Sequence, residues 1–197
     1  NNFPPTALCS PTRALVNAGR NHHRIGMVSH SLTAMGFPGY NAHPPESAKG
    51  FADIMKRAGY STMFLGKWDH TPQWESTFAG PFDRWPSGDG WEHFYGFMSG
   101  DMNNFNPIMW VDHTPMQPNY DQPGYHVNED MSDTAIRWIS MLRASAHKKP
   151  FVMMYATGAV HAPHQAPRDW REKFRGQFDM GYDRAREMIL ERQIDMG

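Results

Sequence analysis

The run Phe151-Val152-Met153-Met154-Tyr155-Ala156 is apolar at every position, with no alternation. A strand of this kind buries both faces, as strands do in a parallel sheet covered by helices on each side. Asn128 to Ala146 precedes it and reads as a helix, with Met131, Ala135, Trp138, Ile139 and Leu142 at helical spacing and Asn128 as the expected N-cap. Lys148-Lys149-Pro150 breaks the pattern between the two elements. The same order occurs earlier in the chain. Glu46 to Ala58 reads as an amphipathic helix with Phe51, Ile54 and Met55 on one side, Gly59 ends it, and Ser61 to Leu65 reads as a strand. Helix–strand units in this order predict an α/β fold with a mostly parallel central sheet. Such sheets place ligands at the carboxyl ends of their strands. Gly66-Lys67-Trp68 follows the first strand and His161-Ala162-Pro163-His164 follows the second.

A third polar cluster lies near the start. Cys9 is the only cysteine, so no disulfide forms within the chain. Pro11 suits the first turn of a helix that runs to about Ala18, with Gly19 as its stop. Cys9 then sits at a helix N-terminus, where free N–H groups and the dipole favour negative charge. Arg13 lies one turn on and shares a face with Cys9. A reactive group, an anion-friendly helix end and a fixed cation together make an anion-handling site. The plainer readings are a buried apolar cysteine, a structural ion pair for Arg13 and a solvated strand-end lysine for Lys67. His161 and His164 as a zinc pair is a weaker reading, because Pro163 interrupts them and they sit in a loop. His22 and His23 either line the pocket mouth or are ordinary loop residues, and His113, His126 and His147 are expected at the surface.

The remainder bounds the answer. The 197 residues suffice for one domain with a real core. The 19 basic against 20 acidic side chains argue against a nucleic-acid-binding tract or a polybasic membrane patch. No apolar run reaches membrane-spanning length. Residues 21–45 read as a long irregular loop. Residues 69–122 read as a loop-rich excursion, too aromatic to be disordered and without periodicity. Arg168 to Phe174 and Tyr182 to Met196 read as helices. The chain does not begin with Met, and its reactive motif starts nine residues in, so it reads as a piece of a longer protein. Compartment is left open.

Cys9-Ser10-Pro11-Thr12-Arg13, continued by Ala18-Gly19-Arg20, resembles the maturation signature of the type I, formylglycine-dependent sulfatases of the alkaline phosphatase superfamily. Gly66-Lys67-Trp68 resembles that family's Gly-Lys-Trp-His segment, and His161-Ala162-Pro163-His164-Gln165-Ala166-Pro167 its His-x-Pro loop. Pro81-Phe82-Asp83-Arg84-Trp85-Pro86 and Phe94-Tyr95-Gly96-Phe97 are similar to stretches of the arylsulfatase branch. The resemblance implies a three-layer α/β sandwich, with residues 1–197 as the central part of the catalytic domain and an N-terminal strand and C-terminal region missing. It implies that a formylglycine-generating maturation enzyme oxidises Cys9 to 3-oxoalanine (formylglycine). One hydroxyl of the aldehyde hydrate then attacks the sulfur of a sulfate ester, and the other expels sulfate. On this reading Arg13 holds the hydrate, Lys67 and His161 contact the sulfate, His161 protonates the leaving oxygen and His164 also binds substrate. Calcium or another divalent cation would be held by the Cys9-derived group, with its other ligands outside this segment. A phosphonate or phosphate ester hydrolase of the same superfamily and a non-catalytic binding module are the alternatives. The chain departs from the family pattern at Asp69, where the family has His. Either His70 takes the substrate-binding role through a one-residue loop shift, or the role is altered. With so few metal ligands present, the segment alone is expected to be inactive.

Overall fold

The two strands read from the sequence lie side by side. The computed structural model describes residues 6–118 and 121–197. Strand β1 (Ser61–Lys67) pairs in parallel with β2 (His93–Phe97) on one side. On its other side it pairs, again in parallel, with a strand at Phe151–Ala156. Strand β3 (Met109–Val111) runs antiparallel to β2, and β4 (Thr114–Met116) antiparallel to β3. With Phe151–Ala156 numbered β5, the sheet order is β4-β3-β2-β1-β5. The fold is α/β with a mixed, mostly parallel central sheet.

The register sorts side chains onto two faces, as the two-residue period of a strand requires. Phe64, Phe94 and Met154 stand in one row. They pack with Trp68, Trp85, Trp91 and with Phe51 and Ala52 of helix α2 (Phe51–Arg57). The next residues, Leu65 and Tyr95, join Met109 and the inner face of helix α3 (Val127–Ala146), namely Val127, Met131 and Ala135. Helices thus cover both faces of the sheet. Every residue of β1 is buried. Burying each large apolar side chain contributes roughly 1.5–3 kcal/mol, so the central strand anchors both clusters. β5 is only half-buried, because β1 is its one partner in the described sheet. A third small core joins Ala14 of helix α1 (Cys9–Ala18) to Ile25, Met27, Ala42 and Ala48. The loop 21–45 therefore has a packed interior, with short 3-10 turns at His22–Ile25 and Ser31–Thr33.

Several local expectations change. Glu46 to Ala58 is not one helix. A 3-10 turn at Glu46–Ala48 precedes α2, and between them Gly50 N–H donates to Asp89 Oδ1 at 2.7 Å. That tertiary hydrogen bond claims the backbone where the helix would have continued. Ile54 points to solvent, and Ala52 is buried instead. His126, not Asn128, caps α3, with Nδ1 accepting from the Asn128 N–H at 3.3 Å. His126 is consequently buried, and His113 is half-buried with its ring stacked on Phe82, whereas His147 is exposed. The excursion 69–122 holds β2, β3 and β4. Residues Gln165–Gly197 form a separate compact unit with helices α4 (Arg168–Lys173) and α5 (Gly181–Met196), neither of which has a buried residue.

Close approach fixes the end of β1. Gly66 has φ +103°, and a Cβ there would lie 2.0 Å from the Ala156 carbonyl oxygen. A Cβ on Gly96, its partner in β2, would lie 2.0 Å from the Gly66 carbonyl oxygen. Only glycine meets both demands at Gly66, conformational and steric. Gly66→Ala in the full-length protein is expected to cost at least about 1–3 kcal/mol. Urea unfolding checks this, and a midpoint equal to the parent's would contradict the close approach.

Candidate active site

Leu8 is the N-cap of α1 in extended conformation and gives no side-chain cap, so the first N–H groups of the helix meet no capping oxygen from it. Cys9 is the first residue of this turn. Its Sγ lies 3.5 Å from His30 Nδ1, and Ser10 Oγ lies 3.5 Å from the same nitrogen. Sequence reasoning missed His30. It sits in an irregular loop containing other histidines, and nothing in its spacing marks it.

Arg13 reaches from α1 to the end of β1, where Nη1 donates to the Lys67 carbonyl oxygen at 2.7 Å. Trp68 N–H then donates to the Phe97 carbonyl at 3.0 Å, carrying the β1–β2 ladder one step further. Asp69 turns the chain with φ 59°, a left-handed conformation in which Asp is among the tolerated residues. Its carboxylate lies beside Lys67, with Oδ2 3.2 Å from Nζ and side-chain exposures of 2 % and 3 %. The charges are close but poorly aligned, and Asp69 Oδ2 makes no well-formed hydrogen bond. Arg13 Nε is likewise buried without an acceptor. Burial pushes the Arg13 pKa down, and the nearby Asp69 and Cys9 pull it back up. Arg13 thus stands near Cys9 and Asp69 and meets the backbone of Lys67, whose ammonium lies beside Asp69.

His70 does not join them. The turn at Asp69 sends it behind Trp68, where its ring stacks on the indole with centroids 3.8 Å apart. Its Nδ1–H donates to the Trp68 carbonyl at 2.8 Å. It lines a cavity of about 230 Å³ on the inner side of α1, together with Ala14, Asn17, Arg84 and Asp89. Burial lowers its pKa to about 4, so it is neutral near pH 7. Its ring is buried against Trp68, and Asp69 occupies the position beside Lys67. In the same cavity wall, burial raises the Asp89 pKa to about 7. Asp89 accepts hydrogen bonds from Asn17 Nδ2 and the Gly50 N–H and so ties α1 to the start of α2.

His161 and His164 are exposed in the loop after β5. His161 Nδ1 lies 2.8 Å from the Ala162 carbonyl oxygen, and His164 has φ 54°. Gly158 sits against Phe97, since a Cβ on it would lie 3.0 Å from the ring. The loop therefore starts at the same sheet edge as Lys67. Among the described residues no hydrogen bond or ion pair joins either histidine to Cys9, Arg13 or Lys67. His22 is buried, with Nδ1 2.9 Å from the Met27 carbonyl oxygen, and serves its own loop. Among the described residues no three His, Cys, Asp or Glu side chains gather to hold a metal, and no helix is long and apolar enough to cross a membrane.

A family model described as Sulfatase matches residues 1–195. The chain is 27 % identical to an uncharacterized sulfatase of Schizosaccharomyces pombe, over 100 % of its own length and 37 % of the relative's. It is 29 % identical to an arylsulfatase of Klebsiella aerogenes, over 89 % of its own length and 38 % of the relative's. The chain thus spans less than two fifths of these relatives. In structure it is similar to Ps i-CgsB, with TM-score 0.66 and 23 % identity over 85 % of this chain and 38 % of that one. It is also similar to the putative sulfatase yidJ from Bacteroides fragilis, with TM-score 0.63 and 16 % identity over 86 % of this chain and 37 % of that one.

The placement of His70 carries a pH dependence. Its pKa is 6.5 when unfolded and about 4 when buried, so the unfolded state binds the extra proton between those values. Its contribution to stability is complete above pH 6.5 and is lost as pH falls toward 4. His70→Phe keeps a ring on Trp68 and removes the titration. Urea unfolding at pH 7 and pH 5 is expected to show a smaller acid loss in the variant than in the parent. An equal loss in both would show that His70 is not buried as described.

Proposed function

The chain belongs to the sulfatase family, and on that premise we propose that the protein hydrolyses sulfate esters at the corner formed by Cys9, Arg13 and Lys67. The observation that carries this reading is the Arg13 hydrogen bond to the Lys67 carbonyl. It brings the guanidinium on the helix of Cys9 to the backbone of Lys67, which supports a reading in which both cations serve the same bound group. A sulfate ester presents a tetrahedral array of oxygens on which charge is redistributed as the ester bond breaks. Fixed donors in a water-poor site stabilise that charge more than water does.

Each residue then has a task. Lys67 Nζ donates to a sulfuryl oxygen, and Asp69 holds the ammonium in place. Arg13 Nε, buried and without an acceptor, offers a further N–H to the bound group. His30, within 3.5 Å of the Cys9 side chain, is in reach of a proton at that position. His161 and His164 stand at the same sheet edge. An imidazole suits protonation of a leaving oxygen near neutral pH, so His161 is proposed as the leaving-group acid and His164 as a substrate contact. Asp69, if ionised, accepts hydrogen bonds and does not donate them, so it positions Lys67 instead of contacting sulfate oxygen.

Oxidation of Cys9 to 3-oxoalanine by a formylglycine-generating enzyme is part of the proposal. When present, that group supplies a hydrated aldehyde with a nucleophilic hydroxyl. Calcium calls for about six to eight oxygen donors. At this corner the Asp69 carboxylate is turned to Lys67, and no other acidic cluster stands beside Cys9 among the described residues. The described donors do not fit a calcium site on their own. Ligation of a divalent cation by the Cys9-derived group rests on the family resemblance alone.

The test uses the full-length protein produced together with a maturation enzyme. Peptide mass spectrometry is expected to show CH2–SH at Cys9 replaced by CHO, with turnover of 4-nitrophenyl sulfate. Cys9→Ala should abolish turnover. Lys67→Ala should lower kcat on the order of 100-fold, the usual cost of losing one oxyanion donor. An intact thiol together with activity indifferent to Cys9→Ala would overturn the proposal.

A further inference from the structure

Beside the Lys67–Asp69 pair the sheet edge opens into a second cavity, of about 390 Å³. Two of its lining residues tie it to the corner described above. Asp69 is the ion-pair partner of Lys67. Ser31, whose Oγ lies 3.5 Å from the Asp69 carbonyl oxygen, follows His30, the neighbour of Cys9 Sγ. The rest of the lining is of two kinds. Phe97, Met98, Ile108 and Trp110 supply apolar and aromatic surface, and Thr71, Gln73 and Thr77 supply neutral hydrogen-bonding groups. Asp69 is the only charged residue in the lining, and the cavity has no Lys, Arg or His among the described residues.

We propose that this cavity receives the alcohol portion of the ester and selects an uncharged alcohol with a flat apolar face over one carrying a second anionic group. This inference rests on the sulfatase reading and adds the class of leaving group to it. With the sulfate oxygens held by Lys67 and Arg13, the carbon skeleton has to extend into open volume, and this cavity adjoins Lys67 through Asp69. Its size falls within the range of pockets for small organic ligands, roughly 300–1,000 Å³. Trp110, half-buried in the wall, offers ring surface of the kind that aromatic ligands pack against. A second carboxylate or sulfate here would lose water, find no cation in the wall and approach the Asp69 carboxylate, whose Oδ2 has no well-formed hydrogen bond. Both desolvation and like-charge repulsion act against it.

The test compares 2-naphthyl sulfate with the same ester bearing a 6-carboxylate, using matured full-length protein. The carboxylated ester is expected to show kcat/KM lower by about tenfold or more, as like-charge juxtaposition predicts. Ile108→Lys places a cation in the wall. Ile108 is 67 % exposed, so the change does not disturb the core. The variant is expected to narrow the ratio between the two esters. A second arm needs no turnover. Calorimetric binding of 2-naphthol and 6-hydroxy-2-naphthoate should show the same preference and the same narrowing. Equal kcat/KM values with parent enzyme, or a ratio unmoved by Ile108→Lys, would overturn the cavity's role and leave the sulfatase reading standing. Absence of turnover on both esters would overturn the sulfatase reading, and the binding arm would still decide the cavity: preferential naphthol binding supports it, and no binding or equal binding overturns it.

Discussion

A strand that stops inside a protein leaves its last carbonyl without a ladder partner, and a buried carbonyl needs one. At the end of β1 that carbonyl belongs to Lys67, and Arg13, 54 residues earlier in the chain, supplies the donor. A hydrogen bond to a charged group contributes about 1.5–3 kcal/mol net. Its geometric effect matters more here. It locks the first turn of α1, with Cys9 on it, against the edge of the sheet where Lys67 emerges. Without that bond α1 would be held by its packing on Ile25, Met27, Ala42 and Ala48 and by the Asn17–Asp89 contact, neither of which reaches the end of β1. The guanidinium is desolvated in making it, and Asp69 offsets part of that cost. The same contact therefore orders the backbone and assembles the charges.

Two half-buried carboxylates repeat this logic at a distance from the corner. Asp89 joins Asn17 of α1 to the backbone at Gly50. Asp130, in the first turn of α3, accepts hydrogen bonds from the hydroxyls of Tyr95 in β2 and Tyr125. Burial and the adjacent carboxylate push both tyrosines up, so they stay protonated and remain donors. Each carboxylate pins a helix to a neighbouring element by satisfying donors that apolar packing would leave unpaired. The helices flanking β1 and β2 thus owe their position to polar contacts as well as to the two aromatic and aliphatic clusters. That combination gives a single arrangement at the strand ends, where the glycine contacts leave no room to shift.

Elements with local causes were legible in the sequence. α1 stops at Gly19 because a left-handed residue is needed there, and the Gly19 N–H closes onto the Leu15 carbonyl at 2.8 Å. α3 and β5 were legible from period and composition, which tertiary contacts did not override. β2 was missed because Phe94-Tyr95-Gly96-Phe97 is short, is interrupted by Gly96 and lies in a stretch dominated by Trp, Gly, Pro and Asn. Its strand character comes from pairing with β1, which no local window contains. The break at Gly50 and the cap at His126 were missed for a related reason. Each depends on a contact specific to the folded chain: Asp89 reaching across to Gly50, and a histidine ring turned onto its own helix. In the candidate site, Arg13, Lys67 and Asp69 were singled out by motif, whereas His30 came into view only through its proximity to Cys9.

Asp69 shows what proximity adds to a motif. Read along the chain, a carboxylate next to an anion-binding lysine looks like a defect. In the structure it belongs to a charge balance. Arg13 and Lys67 bring two positive charges to the corner and Asp69 one negative charge, so the described corner holds a net single positive charge. A sulfate monoester carries one negative charge at neutral pH. A phosphate monoester carries about 1.5 to 2. In a low-dielectric corner, mismatch of a full charge is costly, because neither water nor counterions relieve it. Under the proposed function, the net single positive charge of these described side chains matches sulfate more closely than phosphate. On that reading, the left-handed turn that puts Asp69 beside Lys67, and His70 behind Trp68, sets the charge of the corner as well as its shape.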